Sequence, residues 1–282
     1  MIDALSSIGD ALATGFYRRA LIEVVLVGAL AGVVGVHVLL RRLPFFVVAM
    51  SHATFPGVVI ASLLGISLFV GGGAFGLVVV AVVALVGRQR SLDDTSLIGV
   101  ILAGSFALGV ILLAGRPGSG RDLTAFLVGS VLTVTGADLV ATAMVGTGVL
   151  AVAIVLHKEL VLTAFDPGAA AALGYPLRRL DATALVLITL TLVVAVPAVG
   201  TLLAVALLCV PALTARVWTD RLAIAMPLAA ALGAGCGVVG LAATAVWDVA
   251  AGGAVALTTA ATFVVSLATR SAVSSALRSR AG

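Results

Sequence analysis

The residues of this chain that could bind an ion, move a proton or engage a partner are few, and they gather at three places. The first is His52, in the stretch VAMSHATFPG, four residues ahead of Pro56-Gly57. A Ser-His pair beside a Pro-Gly break puts an imidazole where the backbone is irregular and small residues leave room. Imidazole suits Zn²⁺ and other divalent first-row ions. The alternative is a histidine hydrogen-bonded to a neighbouring helix, and both readings stand. The second place is Asp248, after Trp247 and ahead of Gly252-Gly253, where a carboxylate could cap a helix or touch an arriving ion. The third is a polar island, HKELVLTAFDPGAAAALGYPLRRLD, from His157 to Asp181.

The island has a charged entry (Lys158, Glu159), an Asp166-Pro167 break, an alanine-rich helical turn ending at Gly174, and an exit carrying Arg178, Arg179 and Asp181. Such a segment suits a helix lying across the mouth of a bundle, where a partner can push on it. Other candidates reduce to structural roles. His37 sits in an apolar run without polar neighbours and reads as a satisfied packing histidine, and His157, beside Lys158, as a solvated helix end. Asp93-Asp94 before Thr95 form an acidic helix start favoured by the helix dipole. Cys209 and Cys236 lie in apolar context without CxxC spacing, as small buried hydrophobes do. Neither a GxSxG elbow, a HExxH helix nor a GxxxxGK[ST] phosphate loop occurs. The chain therefore has no means of hydrolysing ATP in the P-loop manner, and no enzymatic activity of its own is expected.

The elements that must position these residues are set by composition. Of the 282 residues 62% are apolar and 10% charged, against about 25% charged in soluble domains, and the mean hydropathy is +1.30. Apolar runs fall at about 20–40, 45–66, 69–87, 96–114, 136–156, 180–196, 200–217, 222–246 and 252–270, each near the length needed to cross about 30 Å of hydrocarbon. The expected fold is all-α: a polytopic helical membrane protein of eight to nine transmembrane helices with a cytoplasmic coupling helix. Val196-Pro197-Ala198-Val199-Gly200 alone separates two of the runs, so the second of them could be a crossing or a broken half-helix.

Basic residues at the ends of the runs read as topology signals, not as a nucleic-acid surface. With nine crossings and an outer N-terminus, Arg41-Arg42, Arg88 and Arg90, Lys158 with Arg178-Arg179, Arg216 with Arg221, and the C-terminal arginines are all cytoplasmic. Arg18-Arg19 and Arg116 with Arg121 then fall outside. Residues 1–19 lack signal-peptide order and read as an amphipathic N-terminal segment, 20–270 as the membrane domain, and 271–282 as a cytoplasmic tail. Gly28 and Gly32 suit tight packing within one subunit better than a dimer motif.

Taken in order, the blocks FYRRAL, VLLRRLPF, SHATFPG, SLDDTSLIGVILAGSFALGVILL, DLTAFLVGSVL, ELVLTAFDPGAAAALG and VPAVGTLLAVALLCVPALTAR, with the closing spans around Trp247-Asp248, run from about Phe16 to Arg270. In this ordered set the chain resembles the permease subunits of bacterial ABC importers for manganese, zinc and related metal ions. The resemblance implies a multi-pass protein of the bacterial plasma membrane, embedded in lipid, that is catalytically silent and moves Mn²⁺ or Zn²⁺ inward. It implies an ABC ATPase subunit that binds ATP, an extracytoplasmic metal-binding protein, and a second permease copy, as homodimer or paralogous heterodimer. The island then corresponds to the segment that docks on the ATPase, with Glu159, Phe165, Asp166, Pro167, Ala170, Leu173 and Gly174 forming or flanking the contact. His52 and Asp248 become the candidate metal contacts. One position departs from the family pattern. An acid commonly stands four residues before the motif histidine, on the same helical face, and here that position is Val48.

Two rival functions have their own signatures. A siderophore or cobalamin permease shares the architecture, but SHATFPG and FDPGAAAALG favour the metal-ion branch. A gradient-driven secondary transporter would place ionisable residues at mid-membrane, whereas these spans read as nearly free of acids.

Overall fold

In hydrocarbon a backbone must satisfy its own polar groups, so a chain this apolar has helices as its means of crossing. A computed structural model describes residues 14–86, 94–114, 129, 131–247 and 249–281, with side chains placed as far as residue 272. The helices are α1 (Gly15–Leu40), α2 (Pro44–Ala53), α3 (Phe55–Leu64), α4 (Leu68–Val86), α5 (Asp94–Ala114), α6 (Gly136–Val155), α7 (His157–Phe165), α8 (Pro167–Ala172), α9 (Leu177–Val199), α10 (Thr201–Trp218), α11 (Leu222–Trp247) and α12 (Ala251–Ala281). A 3-10 turn, Val131–Thr133, precedes α6. Among the described residues nine segments are long and apolar enough to cross a membrane, α2 and α3 together making one of them. The run after Gly200 forms a full helix of its own, long and apolar enough to be the seventh of these nine. Gly200, at φ +84, is the one residue between α9 and α10, and this turn lets the chain reverse instead of leaving a broken half-helix.

The spans lie within a few residues of the apolar runs. Of the amphipathic segment expected over 1–19, residues 1–13 lie outside the described residues, while 15–19 open α1 as part of the same helix. The tail expected from 271 continues α12 as helix.

The first span organises the bundle. α1 runs antiparallel to α11, and the two touch through their backbones. A Cβ built on Gly28 would lie 2.6 Å from the Gly233 carbonyl oxygen. One built on Gly32 would overlap the Ala229 carbonyl, and one on Gly237 would overlap the Val24 side chain. These pairings advance four residues along α1 for each four they retreat along α11, which keeps one seam in register over about two turns. Gly35 meets Leu208 of α10 in the same way. The glycines thus pack within one subunit, as their spacing implies. Near the start of α1 the Tyr17 hydroxyl donates to the Leu241 carbonyl at 2.8 Å, tying the same two helices.

Because this seam has no room for a side chain, Gly32→Val should cost roughly 1–3 kcal/mol or more through overpacking. A lower midpoint in thermal unfolding of the detergent-solubilised protein is the expected readout. Gly104→Ala, at a position whose Cβ meets nothing within 4 Å, should leave the midpoint unchanged.

Candidate functional site

The second span breaks where SHATFPG sits. α2 ends at Ala53, Thr54 joins it to α3, and Pro56 stands in the first turn of α3. Proline supplies no N–H and crowds the preceding turn, so the break falls one turn before Pro56. Thr54 Oγ1 covers part of the gap by donating to the Ser51 carbonyl at 3.4 Å, and Ser51 Oγ donates to the Val48 carbonyl at 2.8 Å. His52 therefore lies in the last turn before an irregular joint, as its sequence setting implies.

His52 is half-buried, as is Val48 one turn earlier, while Val47, Ala49, Met50, Ser51 and Ala53 between and beside them are buried. The two share a face of α2 that this chain only partly covers. The His52 ring stands edge-on to Phe106 of α5, with centroids 5.7 Å apart and planes at 80°. Its Nδ1 is buried and has no hydrogen-bond partner. Among the described residues no group of three or more His, Cys, Asp or Glu side chains could hold a metal ion. One imidazole with a free nitrogen, a valine where an acid could stand and no third donor make an incomplete ligand set within a single chain. Asp248, the other candidate, lies outside the described residues.

The spans are not as free of acids as the sequence suggests. Glu23, in α1, is completely buried; Thr142 Oγ1 of α6 donates to its Oε1 at 2.6 Å, and its Oε2 has no partner. A single charged residue in a run averaging strongly apolar is easily passed over, and the signal was its type alone. Glu23 does not replace the missing acid at position 48. It lies 17 residues before the end of α1 at Leu40, and His52 lies 8 residues after the start of α2 at Pro44. At about 1.5 Å per residue these are depths of about 26 Å and about 12 Å from the same side of the bundle.

His37 also departs from expectation. It is buried, yet neither ring nitrogen has a partner. Nor is His157 only a solvated helix end, for its ring meets His37 edge-on with centroids 5.9 Å apart.

The polar island folds into two short helices, not one. α7 follows α6 after a bend at Leu156, and presents Leu160 and Thr163 to the bundle, both buried. Asp166 then leaves the helical conformation and caps α8, its Oδ1 accepting from Ala169 N at 2.8 Å, with Pro167 in the first helical position. Gly174, at φ +82, ends α8: its N–H donates to the Ala171 carbonyl at 3.0 Å and the Tyr175 N–H to the Ala170 carbonyl at 3.1 Å. This pair of bonds is a Schellman closure, which needs the left-handed conformation glycine adopts freely.

Side chains of the island divide by exposure. Phe165 and Leu173 are 64% and 69% exposed, at opposite ends of α8, and Asp166, Pro167 and Gly174 are exposed beside them. Ala170 is fully buried, so it seats α8 against the protein and does not face a partner. Glu159 is half-buried, with Oε2 enclosed and unpartnered. The result is a polar, twice-capped platform with two bare apolar side chains on it.

Comparison with known proteins places this geometry. A family model described as the ABC 3 transport family matches residues 13–270. The chain is 35% identical over 254 residues to the manganese transport system membrane protein MntC of Halalkalibacterium halodurans, covering 90% of this chain and 87% of that protein. It is 37% identical over 251 residues to the manganese import system permease protein ScaB of Streptococcus gordonii, covering 89% and 90%. The solved structure of PsaBC from Streptococcus pneumoniae in complex with Fab contains a chain that superposes with a TM-score of 0.85 at 34% identity, over 94% of this chain and 95% of that one.

The Glu23–Thr142 pair generates its own test. Thr142→Val removes the one donor to a buried carboxyl and should destabilise the bundle by about 1–3 kcal/mol. Thr142→Ser keeps the hydroxyl and should stay much closer to the native unfolding midpoint in detergent.

Proposed function

Because the chain belongs to the ABC 3 transport family, we propose that it carries Mn²⁺ inward under the drive of a separate ATPase seated on the α7–α8 platform. It is the membrane-spanning permease subunit of a metal-ion importer and a multi-pass protein of the bacterial plasma membrane. Manganese as cargo is favoured by the printed functions of its relatives. The permease unit runs over 20–270, flanked by the segments 1–19 and 271–282.

The observation that carries the proposal is the contrast between the two ends of the mechanism. The sequence holds no phosphate loop, so the free energy of ATP must enter from outside. The α7–α8 segment leaves Phe165 and Leu173 bare, apolar anchors of the kind that fill a pocket on a partner, and the proposal places them on the cytoplasmic side. Asp166, Pro167 and Gly174 fix the shape of that surface, Ala170 seats it, and Glu159 lies at its entry. ATP-driven closure of the partner would push this platform and bias the bundle between outward- and inward-open forms.

The ion contact is His52. Its half-buried face and unpartnered Nδ1 suit an imidazole that completes its ligand set with the same face of a second permease copy. With Val48 in place of an acid, the charge of the ion is balanced only in part at this level, which fits transient passage better than tight binding. Asp248 would meet the ion where an extracytoplasmic binding protein delivers it. A related but different second permease chain, instead of an identical one, would appear as a second polypeptide in the purified complex.

Transport in proteoliposomes holding the permease, its ATPase and its binding protein tests this reading. Mn²⁺ uptake should require ATP, and uptake by the permease without the ATPase would overturn the proposal. His52→Ala should lower uptake roughly tenfold or more, since loss of even an outer-shell partner costs metal sites that much, with assembly intact. Asp166→Asn keeps a cap acceptor and should transport nearly as the native protein does. Asp166→Arg should separate ATP hydrolysis from uptake.

A further inference from the structure

A single guanidinium joins the platform to the spans. Arg41 stands at the end of α1, and its side chain is only 8% exposed. Nη1 donates to Asp181 Oδ1, in the first turns of α9, at 2.5 Å. Nη2 donates to Thr163 Oγ1 at 2.6 Å and to the Leu160 carbonyl at 3.2 Å, both in α7. Thr163 Oγ1 passes the network on by donating to the Glu159 carbonyl at 2.9 Å. Three elements therefore meet at one planar group: the first span, the platform, and the span that leaves the platform. Arginine is the side chain with enough fixed donors to serve all three acceptors at once.

The backbone holds this group in place. Arg42 has φ +56, a left-handed conformation that glycine usually supplies at a helix end. Its N–H donates to the Leu39 carbonyl at 3.1 Å and the Leu43 N–H to the Val38 carbonyl at 2.9 Å, so the turn after α1 closes tightly around Arg41. A cavity of about 700 Å³ opens beside the joint, with Arg41, Phe46, Leu97, Arg178 and Asp181 in its lining. Arg41 Nε and Glu159 Oε2 are buried and unpartnered in this conformation. An adjoining space and unmatched donors and acceptors are what a joint needs if it is to exchange partners when one element moves.

We propose that Arg41 is the positioning residue that transmits movement of the α7–α8 platform to α1 and α9, so that ATP hydrolysis is converted into transport. The inference rests on the reading of α7–α8 as the ATPase seat. Arg41 touches neither ion nor nucleotide; it acts by making three elements move as one, or by releasing one of them.

The test uses the assembled complex with its ATPase and binding protein in proteoliposomes, and reads Mn²⁺ transported per ATP hydrolysed at equal amounts of complex. Arg41→Ala should lower that ratio about tenfold, within the range of coupling between sites, while ATPase copurification and the hydrolysis rate stay within about twofold. Arg41→Lys, which carries the charge but not the fork, should fall between, and Thr163→Val should lower the ratio several-fold. Arg178→Ala removes an exposed positive charge from the same cavity and should leave the ratio unchanged. An unchanged ratio in Arg41→Ala overturns the inference. If that variant fails to assemble, Arg41→Lys and Thr163→Val decide it, and native ratios in both overturn it. ATP-independent uptake by the native complex would instead overturn the reading of the platform as an ATPase seat, whatever the Arg41 variants do.

Discussion

The backbone-to-backbone seam of α1 against α10 and α11 is the constraint on which the rest of this structure depends. Lipid tails are as apolar as leucine, so helices in a membrane gain nothing by merely hiding hydrophobic surface from one another. They associate through close packing, and here Gly28, Gly32 and Gly35 bring α1 into direct contact with the backbones of two other spans. With α1 fixed at the centre, its two ends become fixed points. Tyr17 is tied to α11 near the start of the helix, and Arg41 is held over the platform at its other end. α1 is thus tied near both ends to other elements of the bundle.

Polar groups are distributed with this mechanics in mind. Inside the described spans ionisable side chains are few, and three of them are incompletely satisfied: Glu23 with one oxygen bonded, His37 with neither nitrogen, His52 with Nδ1 open. Each unpaired buried group costs stability. At the α7–α8 end the arrangement is reversed. The platform is capped at both ends of α8 by Asp166 and Gly174 and bonded to two spans through Arg41. The α7–α8 surface is held in shape by these contacts, whereas His52 Nδ1 has no partner within this chain.

Much of this was legible in the chain itself. The nine spans fall where the apolar runs are, because crossing length and hydropathy are local properties. The break at His52–Pro56 and the caps at Asp166 and Gly174 follow from residue types at adjacent positions, since proline, aspartate and glycine act within a turn of themselves. The resemblance to metal-importer permeases rested on such local blocks, and the family match over residues 13–270 agrees with it. Less legible was whether the run after Gly200 forms a full helix of its own, because that depends on the neighbours against which α10 packs.

The sequence by itself determined that this protein crosses the membrane many times, that it carries no phosphate loop, and that an extended polar segment lies at 157–181. Those are matters of composition and short-range pattern. Only the tertiary structure decided which groups meet. Glu23 finds Thr142 across 119 positions, Arg41 finds Thr163 across 122 and Asp181 across 140, and no periodicity in one helix foretells its neighbour's register. It also decided that His37 is unsatisfied, that Ala170 faces inward, and that Glu23 lies at the wrong depth to stand in for the acid missing at Val48. Such facts depend on how helices stack, and stacking in lipid is set by where backbones can touch.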